Sequence, residues 1–207
     1  MYAQDLYDLS HTYPAVKERL LSATTPWEAL DDIKTLIQEI AEKGVAEGTL
    51  KEIEPGIWVG EGVTISPTAT IGAPCIIGAG CELRPSAFLR GSVILGEGCV
   101  VGNSTEIKNA ILFDGVQAPH FNYIGDSIMG YKSHIGAGVI LSNFRLDHGE
   151  IHPHWEPAAN PRRKAGALIG DGAEVGCNSV VYPGTVIQPG THIFPLSRVR
   201  GWGKIDG

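Results

Sequence analysis

The sequence predicts an all-β solenoid of hexapeptide repeats carrying an N-terminal α-helical segment. Three observations predict it. From Val59 onward an aliphatic residue recurs every six positions, at Val59, Ile65, Ile71, Ile77, Leu83, Leu89, Leu95, Val101 and Ile107. A second small residue recurs four places on, at Val63, Ala69, Cys75, Cys81, Ala87, Val93, Cys99 and Thr105. Residues 1–50 show neither pattern and space their apolar residues as a helix does.

In chain order, Tyr13-Pro14 opens a short helical stretch, AVKERLLSA. Thr25-Pro26 opens a longer one, with Thr25 as N-cap and Pro26 at the first helical position. Leu30, Ile33, Leu36, Ile37 and Ile40 follow at helical spacing, and Gly44 is expected to stop it. This segment, residues 1–50, reads as a helical cap on the repeats that fill 51–207. One aliphatic per six residues fits neither a helix stripe nor an alternating strand. It fits a short strand and a turn, three of which close a triangular coil and stack residues 18 apart at about 4.8 Å. About twenty units give six to seven coils.

The register changes in VGNSTEIKNAILFDGVQAPHFNYIGDSIMGYKSHIGAG, residues 101–138, where Ile107–Leu112 and Ile124–Met129 are units of five. It breaks again in the long polar loop 142–168, before resuming at Ile169, Val175, Val181, Ile187 and Ile193. Trp155 and the Arg162-Arg163-Lys164 cluster suggest that this loop folds over something. The tail from Val199, with Trp202, is expected to cap the last coil.

Composition narrows the function. The formal charge is -7 with no basic run of nucleic-acid type. No apolar stretch reads as a signal peptide or a membrane span, so a soluble cytoplasmic protein is expected, with neither nucleic acid nor membrane as partner. Cys75, Cys81, Cys99 and Cys177 lack CxxC spacing, and three of them fall in regular repeat positions, so they read as buried free thiols.

In the irregular stretch Lys108, His120, Tyr123 and His134 stand where a purely structural repeat would carry Gly, Ser, Thr or Ala, and Arg90 breaks the repeat just before it. Arg90 and Lys108 are 18 apart and should stack, so the pair repels unless an anion lies between them; a ligand phosphate would supply it, or Glu97 or Glu106 would neutralise the pair. His120 lies above Asn103 and can serve as a general base. His148, His152 and His154 form a loop cluster that could hold a metal, although solvent-facing histidines are the plainer reading.

The segment from Leu89 to Asn143 resembles the acetyltransferase domain of the bifunctional glucosamine-1-phosphate acetyltransferase / N-acetylglucosamine-1-phosphate uridylyltransferase family. LRGSVILGEGCVVGNSTEIKN, APHFNYIGDS and HIGAGVILSN carry the resemblance, and the five-residue units fall in the same places. It implies a left-handed β-helix, a homotrimer, acetyl-CoA as co-substrate with no metal, and N-acetylation of an amino-sugar phosphate such as glucosamine 1-phosphate on the way to UDP-N-acetylglucosamine. Arg90 and Lys108 would hold the sugar phosphate, and His120 would take the amine proton. Tyr123 and Asn143 would place sugar and acyl donor. The Ala137 N–H would face the developing oxyanion, and Cys177 and Pro195 would line the coenzyme A channel. His134 stands where the family has an Asn that contacts the sugar. No Gly-rich nucleotide loop precedes the repeats, so uridylyl transfer is not expected. Arg90 and Lys108 fall on one face and His120 on another, which favours a cleft between subunits. Two alternatives share the fold: a non-catalytic sugar-phosphate-binding module, and a γ-class carbonic anhydrase-like zinc enzyme.

Overall fold

Three parallel β-sheets form the sides of a triangular coil in the computed structural model, which describes residues 3–152 and 160–201 and the backbone of 204–206. Each sheet has seven parallel strands, one per coil, so the solenoid has seven coils. Face 1 runs from Ile57–Val59 to Thr185–Ile187, face 2 from Thr64–Ile65 to His192–Ile193, and face 3 from Thr70–Ile71 to Arg198–Arg200. Its hexapeptide units make it a left-handed parallel β-helix. The six-residue aliphatics point inward, and with Cys75, Cys81, Cys99 and Val93 they form one continuous core. Antiparallel strands finish two sheets: Lys51–Glu54 pairs with Ile57–Val59 on face 1, and Lys204–Asp206 pairs with Arg198–Arg200 on face 3. The tail therefore closes the edge of face 3; Trp202 lies outside the described residues.

Most corners turn tightly through a residue with left-handed backbone. On the corner from face 2 to face 3, Ser86, Ser104, Phe121, Gly138, Asn178 and Leu196 all have positive φ. Each backbone N–H from Phe121 onward is donated to the coil before, for example Phe121 to Asn103 O at 2.8 Å and Gly138 to His120 O at 3.0 Å. The two five-residue units sit on the next corner, from face 3 to face 1, where Asn109 and Asp126 are left-handed. They reduce two successive coils from 18 to 17 residues, as the pairings Ile107↔Ile124 and Leu112↔Met129 show.

The helices cover face 1. Its strands present an apolar residue outward as well as inward: Ile76, Ile94, Ile111, Ile128, Leu168 and Val186 share a second core with Val16, Leu20, Trp27, Leu30, Ile33 and Ile37. At about 1.5–3 kcal/mol per buried aliphatic side chain, this interface anchors the segment firmly. Helix α1 spans Pro14–Ser22, as expected. The second expected helix is two, α2 at Glu28–Asp31 and α3 at Ile33–Glu47, broken at Asp32. Thr25 makes no side-chain cap; the Glu28 carboxylate instead accepts the backbone N–H groups of Thr24 and Thr25. Gly44 does not stop α3. It is a buried notch, where a Cβ would lie 2.5 Å from Leu50 Cδ1, and the helix ends at left-handed Gly48.

Candidate functional site

The corner from face 2 to face 3 stacks one residue from each coil just before the left-handed turn. The backbone ladder through Phe121, Gly138, Asn178 and Leu196 sets Asn103, His120, Ala137 and Cys177 one above another, with Pro195 at the corresponding place in the next coil. Four residues from scattered parts of the sequence, His120, Ala137, Cys177 and Pro195, thus form a single column. His120 is exposed and pairs in register with Asn103. The Ala137 N–H has no backbone acceptor among the described residues. Cys177 is an exposed free thiol, whereas Cys75, Cys81 and Cys99 are buried.

Buried Asn122, two residues after His120, holds this corner in place. Its Oδ1 accepts the His120 N–H at 3.2 Å and the Thr105 hydroxyl at 3.3 Å, while its Nδ2 donates to Gly136 O at 2.7 Å. A buried amide with both ends satisfied fixes the backbone around it. A polar residue between the aliphatic positions of the repeat was its only signal in the sequence.

Face 3 carries the second group. Leu89 pairs with Ile107, which sets Arg90 beside Lys108 as expected, and Glu106, Tyr123 and Ile140 form the neighbouring column. The expected unpaired clamp is not what the two cations make. Arg90 Nη1 donates to Glu106 Oε1 at 2.7 Å, and Lys108 Nζ lies 3.4 Å from Asp126 Oδ2. Glu106 was one foreseen neutraliser; Asp126 was not. Its side chain is 9% exposed and also accepts from Asn109 Nδ2 at 2.7 Å and from Asn143 Nδ2. Asp126 occupies the corner made by the second five-residue unit, so the shortened register signalled a site there without naming its carboxylate.

Tyr123 and Asn143 meet over Gly125. A Cβ on Gly125 would lie 2.6 Å from both Tyr123 Oη and Asn143 Nδ2, so only glycine leaves room for them. Burial raises the Tyr123 phenol above its ordinary pKa, and the hydrogen bond to Asn143 opposes that shift. The hydrogen bond to Glu106 raises Arg90 further. His134 stands apart on face 2, with Nδ1 2.6 Å from Glu174 Oε2, and is not brought into the Tyr123 group.

His148 packs edge-on against Phe144, and His152 is exposed. His154 and Trp155 lie outside the described residues. Among the described residues no three His, Cys, Asp or Glu side chains come together as a metal site. Arg162 pairs with Asp31 of α2, and Ile151 and Arg162 form an antiparallel bridge, so the loop is tied back onto the helical segment.

The stacked coils are those of a hexapeptide-repeat solenoid, and residues 56–91 match the family described as bacterial transferase hexapeptide (six repeats). More particularly, the chain is similar to the bifunctional protein GlmU of Methanococcus maripaludis, 34% identical over 172 residues, 75% of this chain and 41% of that protein. It is also similar to a bifunctional sugar-1-phosphate nucleotidylyltransferase/acetyltransferase of Sulfurisphaera tokodaii, 30% identical over 107 residues, 49% of this chain and 27% of that one. The chain thus spans less than half the length of both relatives. A perosamine N-acetyltransferase from Caulobacter crescentus, solved with CoA and GDP-perosamine, aligns at a TM-score of 0.33 and 16% identity over 85% of this chain and 66% of that one. No helix among the described residues is long and apolar enough to cross a membrane.

Proposed function

We propose that the chain is an acetyl-CoA-dependent N-acetyltransferase acting on the amino group of a phosphorylated or nucleotide-linked sugar. Glucosamine 1-phosphate is the acceptor that the sequence resemblance favours, in the route to UDP-N-acetylglucosamine. The observation that carries this reading is the corner column, which unites an exposed imidazole, an open backbone N–H, an exposed thiol and a proline from four coils beside a polar face with two cations.

In this reading His120 takes the proton from the sugar amine as its nitrogen attacks the thioester carbonyl carbon. The C–N bond forms, the C–S bond breaks, and coenzyme A leaves as the thiolate. The Ala137 N–H stabilises the oxyanion of the tetrahedral intermediate. Cys177 and Pro195 continue the column along the path assigned to the acyl donor. Arg90 gives one guanidinium N–H to Glu106 and keeps others for a phosphate, and Lys108 keeps two of its three ammonium protons. Tyr123 and Asn143 orient sugar and donor, with His134 a contact from the neighbouring face. Because the column and the cations lie on different faces, a homotrimer with its site in the cleft between subunits completes the arrangement. A cytoplasmic location goes with that substrate.

The test is a panel of amino sugars, each with and without phosphate, incubated with acetyl-CoA while free thiol is followed, alongside calorimetric binding of coenzyme A. Thiol release that depends on a phosphorylated amino sugar supports the reading. Coenzyme A binding without release would leave a binding module, and no coenzyme A binding at all would reject the proposal.

A further inference from the structure

A cavity of ≈ 520 Å³ opens between the long loop and the helical segment, at the corner joining face 3 to face 1. Six charged residues line it: Glu28, Asp31, Asp126, Arg162, Arg163 and Lys164. All three carboxylates are already engaged. Glu28 accepts two backbone N–H groups and stands 3.8 Å from Arg19. Asp31 holds Arg162 through two guanidinium nitrogens. Asp126 holds Lys108, Asn109 and Asn143. Arg162 is therefore spent, whereas Arg163 and Lys164 have no carboxylate partner among the described residues. Two adjacent cations in one cavity repel each other unless an anion joins them. The volume suits a small phosphorylated molecule.

We infer that this cavity binds a phosphoryl group through Arg163 and Lys164. The group comes either from the acceptor sugar, reaching round the corner from Lys108, or from a separate phosphorylated small molecule. Only the first source rests on the acetyltransferase reading.

Inorganic phosphate titrated calorimetrically into the full chain at constant ionic strength, with chloride as control, tests the inference. Wild type should bind saturably, and Arg163→Ala/Lys164→Ala should bind about tenfold or more weakly, or with one site fewer, since each charge-assisted contact is lost. Both side chains are exposed, so the double variant should melt at or above the wild-type temperature in phosphate-free buffer, which shows that the fold is kept. Equal affinity and stoichiometry in the two proteins, or no binding beyond chloride, overturns the inference. Adding saturating glucosamine 1-phosphate separates the sources: displacement of phosphate from the Arg163/Lys164 site identifies the acceptor, and persistent binding identifies a separate molecule. Phosphate binding with no acetyl transfer would count against the proposed activity alone. Acetyl transfer without phosphate binding at this site would count against the cavity alone.

Discussion

Removing Lys108 should destabilise the ligand-free protein, although two stacked cations on a bare solenoid would lead one to expect the reverse. Lys108 and Asp126 are 22% and 9% exposed and 3.4 Å apart. At an effective dielectric of 20, attraction at that distance is about 5 kcal/mol before dehydration is counted. Dehydration offsets much of this, and Asp126 keeps its amide donors Asn109 and Asn143 when Lys108 is lost. A net cost of about 1–3 kcal/mol for Lys108→Met remains, or about 2–10 °C in Tm for a chain of this size. Asp126→Asn should cost a similar amount. In Lys108→Met/Asp126→Asn the two losses should not add, with a coupling of about 1–2 kcal/mol. Thermal and urea melts of the four proteins without ligand measure it. A Lys108→Met protein as stable as wild type, or more so, would show that repulsion from Arg90 dominates and that the Asp126 pairing is incidental.

Other outcomes follow from the same geometry. His120→Ala should lower kcat by about 10²–10⁴-fold with sugar-phosphate binding kept, which steady-state kinetics and calorimetry would show; near-normal turnover would remove His120 from the chemistry. Gly125→Ala places a Cβ where Tyr123 Oη and Asn143 Nδ2 meet, so kcat/KM should fall about tenfold or more, and an unchanged value would separate that pair from substrate positioning. Burial, with the charge of Asp8, raises the Asp171 carboxyl, so its contribution to stability is present below its ordinary value and lost as pH rises. The Tm of Asp171→Asn relative to wild type should therefore climb as pH rises through and above the ordinary carboxylate range; a gap that narrows instead would contradict the burial assignment.

The solenoid was legible because its core repeats: one aliphatic per six residues can only be satisfied by stacked coils, and seven of them form. The helical boundaries were less legible. Gly44 has the composition of a stop and the role of a notch, because Leu50, six residues on, folds back against it. In the site, Arg90, Lys108, His120 and Tyr123 showed themselves by breaking the repeat. Asp126, Asn122 and Gly125 did not, because each is of a type that turns use routinely, and only the three-dimensional stack shows what it touches. The Arg90–Glu106 pair was foreseeable as one of two alternatives. The choice between them depended on side-chain reach, which spacing alone does not give.

In the proposed function the His120 column performs acyl transfer to a phosphorylated amino sugar. The most direct measurement follows the sugar by mass spectrometry after incubation of glucosamine 1-phosphate, or of glucosamine alone, with acetyl-CoA and either wild type or His120→Ala. N-acetylated sugar phosphate from wild type, far less from His120→Ala and little from unphosphorylated glucosamine is the predicted result. Equal acetylation by the two proteins, or of the two sugars, would contradict it.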